Sequence, residues 1–262
     1  MEETEIKTNP IAENHHEAPL VEVNGVSMRF RMPAQKIDNI KEFFIKFVKR
    51  QIKYTDFWVL KNISFHVNRG ESVGILGRNG AGKSTLLKLI SGIIEPTSGN
   101  ITVRGNIVPL LKLGAGFDLE ATGRENVFLN GAMLGFGKRE MQKKYDSIVE
   151  FAELGDFMNM PLKNYSAGMI ARLGFSIAVD VHPDLLIVDE VLGVGDAAFQ
   201  QKCAEKISSL QKTGTTLLLV SHSAQQVKKL CKTALWIKDG EIVMYDDAAK
   251  VSDAYAADCN KK

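Results

Sequence analysis

Residues 71–94 read ESVGILGRNGAGKSTLLKLISGII, and the order of their three parts decides the fold. Glu71 to Leu76 reads as a short strand. Gly77-Arg78-Asn79-Gly80-Ala81-Gly82-Lys83-Ser84 is a glycine loop, and from Thr85 leucines and isoleucines recur at helical spacing. Glycines let backbone N–H groups turn inward where no side chain fits, and the helix start adds the positive end of its dipole. In this spacing Lys83 reaches the β and γ oxygens of a nucleotide, and the Ser84 hydroxyl is a magnesium ligand. The loop and Thr85 are therefore expected to hold ATP with Mg²⁺ in an α/β fold.

Further along, Leu185-Leu186-Ile187-Val188-Asp189-Glu190 is an apolar strand ending in two carboxylates. Its unbroken apolar run suits a parallel strand buried on both faces, as does Thr215 to Val220. Adjacent residues at a strand end diverge. Asp189 then suits the magnesium shell, and Glu190 suits orienting and deprotonating a water for in-line attack on the γ-phosphate. Helical periodicity marks Glu125–Leu134, Lys138–Leu154, Met169–Val179 and Ala198–Gln211. Strand patterns mark Val21–Phe30, Leu60–Val67 and Asn100–Val108. Leu235–Lys238 and Glu241–Met244 flank Asp239-Gly240 as a hairpin.

The composition supports a folded chain of one or two domains: 262 residues, 45% hydrophobic and 24% charged. Its net charge of +2 argues against nucleic acid as a partner. The cysteines Cys203, Cys231 and Cys259 are far apart and match no metal or redox motif, so reduced thiols in a cytoplasm are expected. No apolar window approaches the ~20 residues of a membrane-spanning helix. Residues 1–19 lack the order of a signal peptide and read as a disordered tail; His15 and His16 within it do not by themselves make a metal site.

With these residues in place a family resemblance can be named. Asn164-Tyr165-Ser166-Ala167-Gly168-Met169, ahead of the acidic pair, resembles the signature loop of ATP-binding-cassette proteins, usually spelled Leu-Ser-Gly-Gly-Gln. His222 in Val220-Ser221-His222-Ser223 resembles the family's switch histidine, and Asp196 falls where its dimer-crossing aspartate loop would be. The resemblance runs from about Val21 to Ala248. It implies a P-loop ATPase domain with a β-subdomain and a helical subdomain, working as a homodimer of ATPase subunits. In it Tyr165, Ser166, Ala167, Gly168 and Met169 of one subunit would cover the γ-phosphate held by Lys83 of the other, with Glu190 and His222 catalytic.

The spellings narrow the resemblance. The signature loop with Arg172-Leu173-Gly174-Phe175, then Val191 to Phe199, looks like the exporters of O-antigen, capsule and teichoic acid; Gly114–Phe117 and Thr122–Asn126 are similar to that subgroup too. This implies an integral membrane permease subunit as partner, a lipid-linked glycan as the transported substrate, and a place on the cytoplasmic face of the membrane. A soluble cassette ATPase of DNA repair or translation is the alternative. It would ordinarily bring a long coiled coil or a second cassette, and neither pattern is present.

The sequence also departs from the family. No glutamine occurs between Asn100 and Met141, where most cassettes carry one, so no magnesium role is assigned there. The adenine-stacking aromatic is open among Phe30, Tyr54, Phe57 and Trp58, each of which could equally be a buried structural residue. Lys36 to Lys53 is an inserted segment with Ile37, Ile40, Phe44, Phe47 and Val48 at helical spacing and six basic residues against Asp38 and Glu42. It reads as an amphipathic helix facing either its own domain or the membrane. The expected organisation is a tail over 1–19, the cassette over 20–247 with this helix at 36–53 and a helical subdomain at about 117–182, and a short C-terminal helix or tail over 248–262. With only a short helix in that stretch, no direct recognition of glycan by this subunit is expected.

Overall fold

The computed structural model describes residues 18–33, 54–110, 113–189 and 195–260. The expected amphipathic helix at 36–53, Glu190, and all but the last two residues of the N-terminal tail lie outside the described residues. In chain order the strands are β1 (Val21–Pro33), β2 (Tyr54–Val67), β3 (Ser72–Leu76), β4 (Ser98–Val103), β5 (Ile107–Leu110), β6 (Leu185–Asp189), β7 (Thr216–Ser221), β8 (Thr233–Lys238) and β9 (Glu241–Asp247). The α-helices are α1 (Lys83–Ile90), α2 (Gly123–Met133), α3 (Lys138–Ala152), α4 (Ala167–Asp180), α5 (Ala197–Lys212), α6 (Ala224–Leu230) and α7 (Ala248–Asn260).

The larger sheet has the order β5-β6-β7-β3-β8-β9 and is parallel except for β9. Its strands alternate between two cores. Leu186, Val188, Leu217 and Leu219 join the core under the helical region, while Leu185, Ile187, Leu218 and Val220 join the core with β1, β2 and α1. The central strands β3, β6 and β7 are thus buried on both faces, which is why β6 and β7 read as unbroken apolar runs. At about 1.5–3 kcal/mol per fully buried Leu, Ile or Val, these short strands dominate the local stability. Asp239 and Gly240, at φ 52° and 80°, make the left-handed turn into β9.

The smaller sheet is antiparallel, ordered β2-β1-β4. Two expected strands change here. The stretch expected as one β segment over Asn100–Val108 divides, with β4 in the small sheet and β5 at the edge of the large one. The break is at Gly105 (φ 135°), where a Cβ would lie 2.6 Å from the Asp184 carboxylate. Asp184 in turn accepts the Asn106 amide at 2.8 Å and pairs with Arg69 at 3.1 Å. Strand β2 begins at Tyr54 rather than Leu60, because Tyr54–Trp58 continues the hairpin with Arg29–Pro33.

Helices α2 to α4 form the helical region, packed around Val127, Met141, Ile148, Leu162, Leu173 and Phe175. The C-terminal stretch is less separate than expected. Helix α7 runs to Asn260 and buries Val251 and Tyr255 in the main core, with Tyr255 edge-to-face on Trp236 of β8. Among the described residues no helix is long and apolar enough to cross a membrane.

Candidate functional site

Strands β6, β7 and β3 are neighbours, so the residues after each converge at one edge of the sheet. Asp189 is in register with Val220, which is in register with Ile75, one residue ahead of Leu76 and the glycine loop. Ligands of open parallel sheets sit at this carboxyl edge. A cavity of about 400 Å³ opens there, lined by Asn79, Gly80, Gly82, Lys83, Ser84 and Thr85 together with Asp189, Phe57 and Val59.

The loop is shaped by positions only glycine tolerates. Gly82 stands at φ 103° as the N-cap of α1, and a Cβ there would meet Leu60 Cδ2 at 2.6 Å and the Val59 carbonyl at 2.9 Å. Gly77 is backed by the Ile237 carbonyl, 2.6 Å from where its Cβ would be. Helix α1 has no side-chain cap. Its first N–H groups therefore meet the cavity as donors that an anion can satisfy. The buried Lys83 folds across the loop, its Nζ donating to the carbonyls of Gly77 (2.6 Å) and Arg78 (3.1 Å).

These features fit the groups expected from the sequence. A side-chain-free cradle at a helix start matches a polyphosphate. One hydroxyl (Ser84) and one carboxylate (Asp189) on the same cavity are the few hard oxygen donors Mg²⁺ takes when phosphates and waters complete its shell. Of the four aromatic candidates for adenine, only Phe57 lines the cavity, with Val59 two residues on along β2. None of the four is a buried structural residue: Phe30, Tyr54, Phe57 and Trp58 are all 40–55% exposed. Trp58 instead carries the Arg29 guanidinium over its ring at 5.6 Å.

The remaining site residues fall outside this lining. Ser166 caps α4, its Oγ accepting the Met169 amide at 3.2 Å, while Ala167 beside it is exposed and Gly168 half-buried. Tyr165 is buried and donates its hydroxyl to the Phe157 carbonyl at 2.8 Å; burial raises its pKa. It is an anchor for the loop rather than a contact surface. Asp196 caps α5 through the Phe199 amide (2.9 Å) and binds Arg172 of α4. The Phe199 amide first, then Arg172, hold the Asp196 carboxyl below its ordinary range. Arg172 also binds Glu153 at 3.0 Å, which Lys202 binds at 2.8 Å.

His222 is exposed directly after β7. Its turn is pinned by residues that sequence reading missed. Ser221 Oγ donates to Gln226 Oε1 (2.8 Å) and accepts the Ser223 amide (3.0 Å), and Ser223 Oγ caps α6. The Ser-x-Ser spelling around His222 was the available signal. Arg172 was missed as the partner of Asp196, since nothing in sequence joins two residues 24 apart on different elements.

A doubly flanked parallel sheet with a phosphate cradle and an acidic strand end at one edge defines a P-loop nucleotide-hydrolase fold. The family model for ABC transporters matches residues 60–193. The chain is 41% identical over 239 residues to the O-antigen export system ATP-binding protein RfbB of Klebsiella pneumoniae, covering 90% of this chain and 97% of that one. It is 41% identical over 230 residues to the teichoic acids export ATP-binding protein TagH of Listeria innocua, covering 88% and 68%. A solved dimeric, post-hydrolysis structure of the ATP-binding cassette MJ0796 with ADP and Pi superposes with a TM-score of 0.69 at 21% identity, covering 87% and 98%, a likeness of fold. The chain belongs to the ABC transporter family, as an ATP-hydrolysing subunit.

Proposed function

We propose that this chain is the motor of an exporter that moves a lipid-linked cell-surface glycan, O-antigen or teichoic acid in type, through a separate membrane subunit. Two copies close around two ATP molecules at the cytoplasmic face of the membrane. The relatives named for O-antigen and teichoic acid export support the substrate class. The observation that carries the motor reading is the single cavity shared by the glycine loop, Lys83, Ser84 and Asp189.

In this reading the N–H groups of Gly77–Ser84 bind the β-phosphate, Lys83 bridges β and γ oxygens, and Phe57 stacks on adenine. Ser84 and Asp189 would hold Mg²⁺, which neutralises charge developing on the transferred phosphoryl group. Glu190 takes a proton from the attacking water, and His222 contacts the γ-phosphate from the next strand. Ser166, Ala167 and Gly168 of the second copy present a helix start and a hydroxyl to the same γ-phosphate, and Asp196 lies at the copy–copy contact. Ser166 is compatible with both of its jobs, since capping uses an oxygen lone pair and leaves the O–H as donor.

The test is made in cells. Deleting the gene should remove the surface polymer and leave its lipid-linked form inside, and the wild-type chain but not Glu190→Gln should restore export. Normal surface polymer in the deletion strain would overturn the substrate class.

A further inference from the structure

The phosphate loop is braced from outside the nucleotide cavity by the last turn of the C-terminal helix. Arg78, the loop's second residue, does not line the nucleotide cavity. It lines a separate one of about 270 Å³ with Lys238 and Asp258. Its Nη2 donates to the Asp258 carbonyl at 3.3 Å. That carbonyl belongs to the final turn of α7, where the negative end of the helix dipole favours a cation.

The same turn is tied to β8. Lys238 binds the Asp258 carboxylate at 2.9 Å and lies over Trp236 at 5.7 Å, while Trp236 packs on Tyr255. Strand β8 also supplies the Ile237 carbonyl behind Gly77. The loop is therefore wedged between the end of β8 and the end of α7. A loop that offers a row of N–H groups to a phosphate binds better when it is held before the ligand arrives.

We propose that the last turn of α7 is a positioning element for the phosphate loop, acting through Arg78 and Lys238, so that nucleotide occupancy and the order of this turn are linked. The inference rests on the nucleotide reading of Gly77–Ser84. Because the coupling is an equilibrium one, it runs both ways: the helix end tightens the nucleotide, and the nucleotide orders the helix end. The Lys238–Asp258 pair is partly exposed, so the effect is several-fold rather than total.

The experiment uses the full chain, with ADP and a fluorescent ADP analogue as probes. In the wild type, ADP slows amide exchange at residues 255–260 by about 3- to 10-fold. Arg78→Met abolishes that protection and binds the analogue about 3- to 10-fold more weakly. Lys238→Met behaves likewise and serves if Arg78→Met does not fold. Helix-end exchange that ADP leaves unchanged in the wild type overturns the inference, as does a variant that keeps both protection and affinity. A Lys83→Ala control separates the two levels: wild-type affinity there would remove the nucleotide reading itself, whatever α7 does.

Discussion

Two helix starts in this molecule, both assigned to nucleotide in the function proposed above, are built in opposite ways. Helix α1 opens on Gly82, left-handed and without a side-chain cap, so its first N–H groups are left for something outside the chain. Helix α4 opens on Ser166, whose hydroxyl already satisfies the Met169 amide. The difference teaches a division of labour. An uncapped start backed by a buried lysine binds an anion by itself, whereas a capped, exposed start on the helical region adds a contact only after the anion has been fixed by another element. That is the arrangement expected of a site completed by a second copy.

The largest effect that sharpens this contrast is at the strand end beside α1. Glu190→Gln should lower steady-state hydrolysis by about 10²- to 10⁴-fold while leaving nucleotide affinity intact, since an amide cannot take the proton from water. With ATP the same variant should accumulate as a dimer in size-exclusion chromatography, holding α4 of one copy against the ligand of the other. Turnover near the wild-type rate would remove Glu190 from its role, and absence of any ATP-dependent dimer would remove the division of labour.

Next in size is the lysine that distinguishes α1. Removing a charged donor to phosphate costs about 1.5–3 kcal/mol, so Lys83→Ala should weaken nucleotide binding by roughly 10- to 100-fold, measured by titration of a fluorescent analogue. Mixing Lys83→Ala subunits with Ser166→Arg subunits should recover activity, because one composite site per mixed dimer escapes both changes. No recovery in the mixture would mean that both helix starts serve the same copy.

Ser166→Ala tests the other side with a smaller change. Loss of the cap should cost about 1 kcal/mol of stability. Nucleotide affinity of the single copy should stay at the wild-type value, because Ser166 does not line its cavity. Weaker affinity in the isolated chain would break the contrast between the two helices.

How much of this was legible in the sequence follows the same physics. The glycine loop, β6 and β7 could be read directly, because two-sided burial and left-handed glycines leave an imprint on residue type. The split of Asn100–Val108 was hidden, since it depends on Asp184 nearly eighty residues away. Singling out Phe57 needed the position of β2 beside the loop, where Phe57 and Val59 line the cavity while Trp58 carries Arg29 over its ring. Thr122–Asn126 could be quoted as a subgroup spelling, but its physical job appeared only in the fold. Thr122 and Glu125 form a reciprocal cap on α2, and the buried Asn126 ties that start to the Asp118 carbonyl at 2.8 Å.

The smallest predicted effect concerns Asp196, the capped start next to α4's own arginine. Its carboxyl is held below its ordinary value by the Phe199 amide and then by Arg172. A carboxylate with a lowered folded pKa stabilises the fold at pH values above its unfolded pKa, and loses that contribution as pH falls through the folded value. Asp196→Asn keeps a capping oxygen for α5 but removes the charge facing Arg172, which still has Glu153 at 3.0 Å. The variant should therefore melt slightly below the wild type at pH 7. The gap should narrow as pH drops below the ordinary Asp range and close at lower pH, where both proteins carry a neutral group. Carboxylates away from Arg172 titrate alike in both proteins and cancel in the difference, whereas Glu153 shares Arg172 with Asp196 and partly compensates for its loss. Paired thermal melts from pH 7 to pH 3 read it directly, and a gap that stays constant over that range would show that the Asp196 charge contributes nothing to holding this loop against α4.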